Sequence, residues 1–342
     1  MKQRVPYQPP FTPTAAILRL AAEISEAVGR LSAREETAQE LHLRRINRIR
    51  TVQGSLAIEG NTLSEEQITA LVEGKRILAL PREIREAKNA LAAYALLEKW
   101  RPSSEKDLLE AHRILMKGLL EVAGAYRSGG VGVLSGDRVI HLAPPAERVP
   151  YLMQDLLHWL KKTDQHPLIA GSIFHYEFEF IHPFADGNGR LGRLWQTLIL
   201  FRWHPLLAHI PVESLVHAHQ ADYYQALRRS TDQTDAAPFV VFMLRMIREA
   251  VISVGAPSVT LQVTPQVTRL LQVIVGAMSR EELQRALGLK DRKSFRERYL
   301  TPALEGGLID RTIREKPNSR FQQYCLTPKG KGLLSRLSKQ KQ

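Results

Sequence analysis

Cysteine is almost missing from this sequence. Cys325 is the only one among 342 residues, which excludes an intramolecular disulfide and a thiolate zinc site and suits a reducing cytosol. Long apolar runs are missing too. The first stretch, MKQRVPYQPPFTPTAAILRLAAEI, is broken by prolines and carries Arg19 in its only apolar run, so it makes a poor signal peptide. No segment reaches the roughly 20 apolar residues of a membrane span, and no internal repeat is visible. A soluble, cytoplasmic protein with no membrane partner is expected.

Acid is short relative to base, with 35 Asp and Glu against 48 Lys and Arg, a net charge of +13. The imbalance is local. Residues 257–342 hold 17 Lys or Arg and 7 Asp or Glu, so +10 of the +13 lies in the last quarter. Such a field attracts nucleic acid or an acidic protein, or is simply a solvated surface.

What is present is helical. With 44% hydrophobic residues the chain can build a sizeable core and two domains or more. Helical patterns run from Ala15 to Leu31 and from about Ala38 to Glu59, where Gly60 and Asn61 end the helix. Ser64 with Gln67 reads as a capping box, and Pro81 as a first helical residue. A helix follows from Glu105 to about Leu120. Between Ala125 and Pro145, Gly-rich turns around β-branched runs predict a hairpin. Helical spacing resumes, breaks at His182-Pro183, and continues through GRLGRLWQTLILFRW and two more helices. GAPSVTLQVTPQ reads as a linker. The tail reads as helix, a turn at Asp291, helix, and two strand-like stretches, LIDRTI and RFQQYCLT, the layout of a winged helix.

The segment FIHPFADGNGRLGR, Phe180 to Arg193, has an order that packing does not demand. Backbone N–H groups at Gly187, Asn188 and Gly189 can point into one concavity at a helix start, where the helix dipole adds a positive field. Arg190 and Arg193 share a helical face and can fork onto phosphate oxygens. Asp186 is a hard oxygen ligand suited to Mg²⁺ held jointly with phosphates, with Mn²⁺ as the alternative. His182, with an ordinary pKa near ~6.5, can accept a proton at neutral pH. Together these make a site for a nucleotide polyphosphate beside a base.

The stretch resembles the signature of the Fic family, H-P-F-x-[DE]-G-N-G-R-x-x-R, and matches every defined position from His182 to Arg193. The resemblance implies a mainly α fold, a Fic-type helical bundle with a short β-hairpin flap and a C-terminal winged helix-turn-helix domain. The implied divisions are an N-terminal helical region (1–100) with an inhibitory helix at about 40–60, a catalytic core (101–255) and the winged helix (256–342). It also implies transfer of AMP from ATP to a Ser, Thr or Tyr hydroxyl of a target protein. By position, His182 would deprotonate that hydroxyl and Asp186 would hold the metal. Gly187, Asn188 and Gly189 would form the anion hole, and Arg190 and Arg193 would bind the outer phosphates. Tyr223 and Tyr224 in DYYQAL would flank the adenine end, with core packing as the rival reading. Val131, Gly132, Val133 and Leu134 would form the flap strand that aligns the target by main-chain bonds.

SLAIEGN, Ser55 to Asn61, matches the family's inhibitory pattern [ST]-x-x-x-E-[GN]. Ser55 and Glu59 lie four apart, on one helical face, and the resemblance implies that Glu59 pairs with Arg193 and denies it to the γ-phosphate. Three readings stay open: DNA binding through Arg292, Lys293, Arg296 and Arg298 in the basic tail, protein docking by that tail, and removal of AMP by the same site through Glu59. A homodimer is left open as well.

Overall fold

The computed structural model describes residues 7–33, 38–130, 132–135, 138–255, 265–289, 291–313, 319 and 321–339. Two compact units divide the chain, residues 1–255 and 256–342. The first unit contains eleven helices of the α type among its described residues. They are α1 (Ala15–Ser32), α2 (Ala38–Ile58), α3 (Glu65–Val72), α4 (Pro81–Ala95), α5 (Glu105–Leu115), α6 (Val149–Lys162), α7 (Pro167–Ile181), α8 (Asn188–Trp203), α9 (Val212–Ala218), α10 (Gln220–Gln233) and α11 (Ala237–Gly255). A hairpin of β1 (Gly132–Ser135) and β2 (Arg138–Leu142) interrupts them, antiparallel, with Gly132 opposite Leu142. No helix among the described residues is long and apolar enough to cross a membrane.

Local chemistry accounts for most boundaries. Thr14 caps α1 by accepting from the Ile17 N–H, and Ile17, Leu20, Ala21, Ile24, Ala27 and Val28 repeat at helical spacing on its buried face. Ser64 and Gln67 close a reciprocal capping box on α3, and Pro81 opens α4. α2 ends because Gly60 adopts φ 85°, which glycine reaches without steric cost. α5 stops earlier than its pattern predicts. Met116 caps it, and Gly118 at φ 69° turns the chain away.

α7 and α8 form the centre. Both are buried on nearly every face, as helices apolar all round must be, and they pack on each other while α11 covers α7. Trp195, Tyr223, Phe174, Phe178, Phe184 and Phe239 are among the largest fully buried side chains. Helices on both sides of residue 100 share this core, from Ile17 of α1 to Val251 of α11.

The second unit has its own smaller core, including Leu270, Leu283, Phe295, Leu300, Leu308 and Tyr324. α12 (Pro265–Val273), β3 (Ala277–Ser279) and α13 (Arg280–Ala286) lead to α14 (Arg292–Phe295), which passes through a π turn at Arg296–Leu300 into α15 (Thr301–Glu305). β4 (Ile309–Arg311) and β5 (Gln323–Leu326) pair antiparallel, β3 joins the other edge of β5, and α16 (Pro328–Lys339) follows.

Candidate functional site

The site forms where α7 ends and α8 begins. His182 caps α7 in a left-handed conformation, φ 48° and ψ 63°, a region in which a side chain costs roughly 1–2 kcal/mol. The bonds around it hold it there. The buried Arg127 guanidinium donates to the carbonyls of His182 (2.8 Å), Gly129 (2.9 Å), Ile181 (3.3 Å) and Pro144, and the Arg127 N–H donates to the Pro183 carbonyl. One side chain thus ties the His182 turn to both ends of the segment carrying the β1–β2 hairpin. Burial lowers its pKa, with Glu147 opposing.

Asn188 locks the turn from inside. Its Oδ1 accepts from the Phe184 N–H and its Nδ2 donates to the Phe184 carbonyl, both at 2.9 Å. Its side chain therefore shapes the loop. Gly187 starts α8 at φ 84°, and a Cβ there would meet the Met116 sulfur at 2.6 Å. His112 supports the loop from α5. It stacks on Phe184 at 3.7 Å, its Nδ1 accepts from the Gly124 N–H, and its Nε2 lies 3.0 Å from the Asp186 carbonyl. Those partners fix the neutral tautomer with the proton on Nε2, and burial holds its pKa down.

Asp186 reaches solvent from this junction, while the two arginines lie buried beside it. Asp186 Oδ1 accepts from the Gly187 N–H (2.6 Å) and from Arg190 (3.0 Å). Its Oδ2 lies 3.6 Å from Arg82, and 40% of the side chain is exposed. Glu86 on α4 lies 3.5 Å from Arg190 and 3.2 Å from Arg82, which closes a ring of four alternating charges. Arg190 Nε is buried with no hydrogen-bond partner among the described residues. Among the described residues no group of three or more His, Cys, Asp or Glu gathers as a metal cage. A cation at Asp186 would therefore take most of its ligands from phosphate and water, the habit of Mg²⁺.

Arg193 is engaged by α2. Its Nε donates to Ser55 Oγ (3.1 Å), and its Nη2 donates to the Ser55 carbonyl (3.0 Å) and to Glu59 Oε1 (2.7 Å). Burial opposes the charge, but Glu59, Tyr223 and Glu179 outweigh it and raise the guanidinium pKa. Glu59 Oε1 also fills the space over Gly189, where a Cβ would lie only 2.3 Å away. α2 comes this close because of Gly54, whose missing Cβ would collide with the backbone of Glu213 and Ser214 at 2.6–2.8 Å. Asn61 then donates to Glu86 Oε2 at 2.9 Å, joining the end of α2 to the charge ring.

The two tyrosines differ. Tyr223 is 2% exposed, packed against Phe239 and Phe242, with its hydroxyl 3.2 Å from His175 Nε2. This placement fits the rival expectation of core packing. Tyr224 is half-buried against Tyr223. Of the expected flap strand, Val131 lies outside the described residues, while Gly132, Val133 and Leu134 lie in β1. Arg82, Glu86, His112 and Arg127 were not singled out from sequence. Only the YRSGG context of Arg127 hinted at a role, since charges on amphipathic helices otherwise read as solvated.

The Fic/DOC family model matches residues 102–200, and the model described as the C-terminal domain of Fic-like filamentation induced by cAMP protein matches residues 265–327. Protein adenylyltransferase Fic of Nematostella vectensis is 32% identical over 204 residues, 56% of this chain and 45% of that one. Protein adenylyltransferase fic-1 of Caenorhabditis elegans is 32% identical over 206 residues, 56% of this chain and 38% of that one. The chain thus spans less than half the length of these curated relatives. A solved Fic family protein from Desulfovibrio desulfuricans G20 is 54% identical, with a TM-score of 0.70 over 94% of this chain and 99% of that one. Fic-1 (aa134–508) of C. elegans superposes with a TM-score of 0.60 at 25% identity, over 71% and 73% of the two chains. Matched in sequence and in helical fold across nearly its whole length, this chain belongs to the Fic family.

Proposed function

We propose that the chain is a protein adenylyltransferase that moves AMP from ATP to a hydroxyl side chain of a target protein and of itself, held back by Glu59. The observation that carries this reading is the convergence of His182, Asp186, Arg190 and Arg193 on one loop-to-helix junction, with an acidic side chain already bonded to the second arginine. Curated relatives named as protein adenylyltransferases support it.

The chemistry suits these residues. The target oxygen attacks the α-phosphorus, its proton passes to His182, and the bond from that phosphorus to the β-phosphate oxygen breaks to release pyrophosphate. Positioning and charge neutralisation dominate such a transfer. Arg190 and Arg193 fork onto the outer phosphates, and the start of α8 offers its backbone N–H groups. Mg²⁺, or Mn²⁺, held by Asp186 and the phosphates would neutralise charge on the departing pyrophosphate. The β1 strand, Gly132 to Leu134, aligns the target by strand addition. Tyr224 is the aromatic left to meet the adenine end.

Glu59 acts as the brake by occupying Arg193, so that ATP lacks one phosphate contact. Residues 101–255 are assigned to catalysis, the earlier helices to the brake, and residues 256–342 to finding targets. A second reading of that last unit is DNA binding by a winged helix, favoured by the exposure of Arg292, Lys293, Arg296 and Arg298. Gel-shift at several salt concentrations tests it, and no shift at low salt leaves protein docking.

The test of transfer is a comparison of ATP labelled at the α- or the γ-phosphate. Label from the α position alone on Glu59→Gly protein supports AMP transfer. Label from the γ position alone would make the enzyme a kinase and refute the reading. Replacing His182 by Ala should cut the labelling about 10²–10⁴-fold.

A further inference from the structure

Three residues before His182, on the last turn of α7, lies a carboxylate for which the reaction above has no use. Glu179 is only 11% exposed at its side chain, and its Oε2 lies 3.9 Å from His182 Nδ1. That imidazole nitrogen is itself buried. Glu179 Oε1 is buried without a hydrogen-bond partner among the described residues.

We propose that Glu179 is the positioning partner of His182: its carboxylate faces the Nδ1–H, leaves Nε2 as the proton acceptor, and stabilises the imidazolium that forms as the target hydroxyl is deprotonated. This rests on the transfer reading above. The proton from the target goes to Nε2, Nδ1 keeps its own, and the carboxylate stays ionised. A buried acid behind a histidine base acts this way in other enzymes, fixing tautomer and charge without taking the proton.

The other histidine beside Glu179 has no proton to give it, and Arg193 acts on it as a nearby charge. His175 stands on its other side, with Nε2 at 3.8 Å from Oε1. Burial pushes the His175 pKa down to about 3, so that ring is neutral. Its Nδ1 meets Gln196 Oε1 at 2.6 Å, and the Gln196 amide nitrogen in turn donates to Ser172. The His175 proton therefore sits on Nδ1, and its Nε2 has none to give. Space for the carboxylate comes from Gly192, where a Cβ would stand 3.1 Å from Glu179 Oε1 and from His175 Cδ2. The charged and titratable groups around Glu179 are His175 and His182 on α7, Arg193 on α8, Glu59 after α2, and Tyr223 and Tyr224 on α10. Burial raises its pKa to about 7, Arg193 pulls it down, and Glu59 pushes it up. Withdrawing Glu59 therefore favours the ionised form that His182 needs.

The experiment uses the full chain. Nitrogen shifts of neutral His182, identified by its loss in His182→Ala, report the tautomer in the wild type: the Nδ1–H form is expected, and the Nε2–H form overturns the proposal even if no Glu179 variant folds. Glu179→Gln should lower the His182 pKa by about one unit. In the Glu59→Gly background it should reduce kcat for AMP transfer about 10- to 100-fold, with KM for ATP within about twofold and Glu179→Asp recovering part of the loss. A purely structural role would lower the melting temperature and leave the His182 pKa unmoved, and that result contradicts the proposal. If Glu59→Gly transfers no AMP at all, the functional reading fails while the His182 tautomer and pKa still decide this one.

Discussion

Arg190 and Arg193 sit three residues apart on α8, both almost fully buried, yet they keep different company. Among the described residues the Arg193 guanidinium donates only to Ser55 and Glu59, at the far end of another helix. Arg190 leans on Asp186 from its own loop and on Glu86 of α4, with Nε left over. One arginine is held from α2, far away in the chain, the other by its own loop and α4. On the proposed reading, the brake therefore acts on the outer end of the phosphate chain and leaves the Asp186 side organised.

Glu59→Gly should break the contrast most strongly, freeing Arg193 and raising automodification between about 5- and 150-fold, the span of a coupling of 1–3 kcal/mol. Labelling with ATP measures it. The same change leaves a buried cation unpaired, so the melting temperature should fall without ATP and recover more with ATP than the wild type does. Gly54→Ala should reach a similar end by another route. Its Cβ cannot fit against the backbone of Glu213 and Ser214, so α2 must shift and carry Glu59 off Arg193. Labelling should rise several-fold, by less than in Glu59→Gly.

Glu86→Gln probes the other arginine. Losing the α4 charge loosens the ring around Arg190 and Asp186, and KM for ATP in the Glu59→Gly background should change by a few-fold with little change in kcat. Wild-type automodification should stay low, because Arg193 is untouched.

The smallest expected effect is on stability. Burial raises Glu177 to about 6 and Glu179 to about 7, so the native state binds more protons than the unfolded chain between roughly pH 4.3 and those values. Their contribution is complete below about pH 4.3 and is lost as pH rises through 6–7. Glu177→Gln should therefore raise the melting temperature relative to wild type by more at pH 8 than at pH 5, by a few degrees at most. Tyr7 donates to Glu177 at 2.7 Å and lowers its pKa, which limits the gain.

Sequence made legible the features set by neighbours along the chain: the capping box at Ser64, Pro81 opening α4, Gly60 ending α2, the break at His182-Pro183. It exposed the cluster from His182 to Arg193 because those residues are consecutive. It did not show α9, α12, α16 or β3, which are short or weakly patterned and depend on tertiary contacts. Nor did it single out Glu86, Glu179, His112 or Arg127. Each sits on a helix or loop where a charge reads as solvated, and only the packing of α4, α5 and α7 around the α8 start turns it inward. Tyr223 shows the converse, since adjacent tyrosines on a helix point to different environments and one of the two had to face the core.

The most direct measurement is the intact mass of purified wild type, Glu59→Gly and Glu59→Gly/His182→Ala after incubation with ATP and Mg²⁺. The account predicts an added AMP mass on Glu59→Gly, little on the wild type, and none on the double variant. Equal adduct on all three, or none on Glu59→Gly, would contradict it.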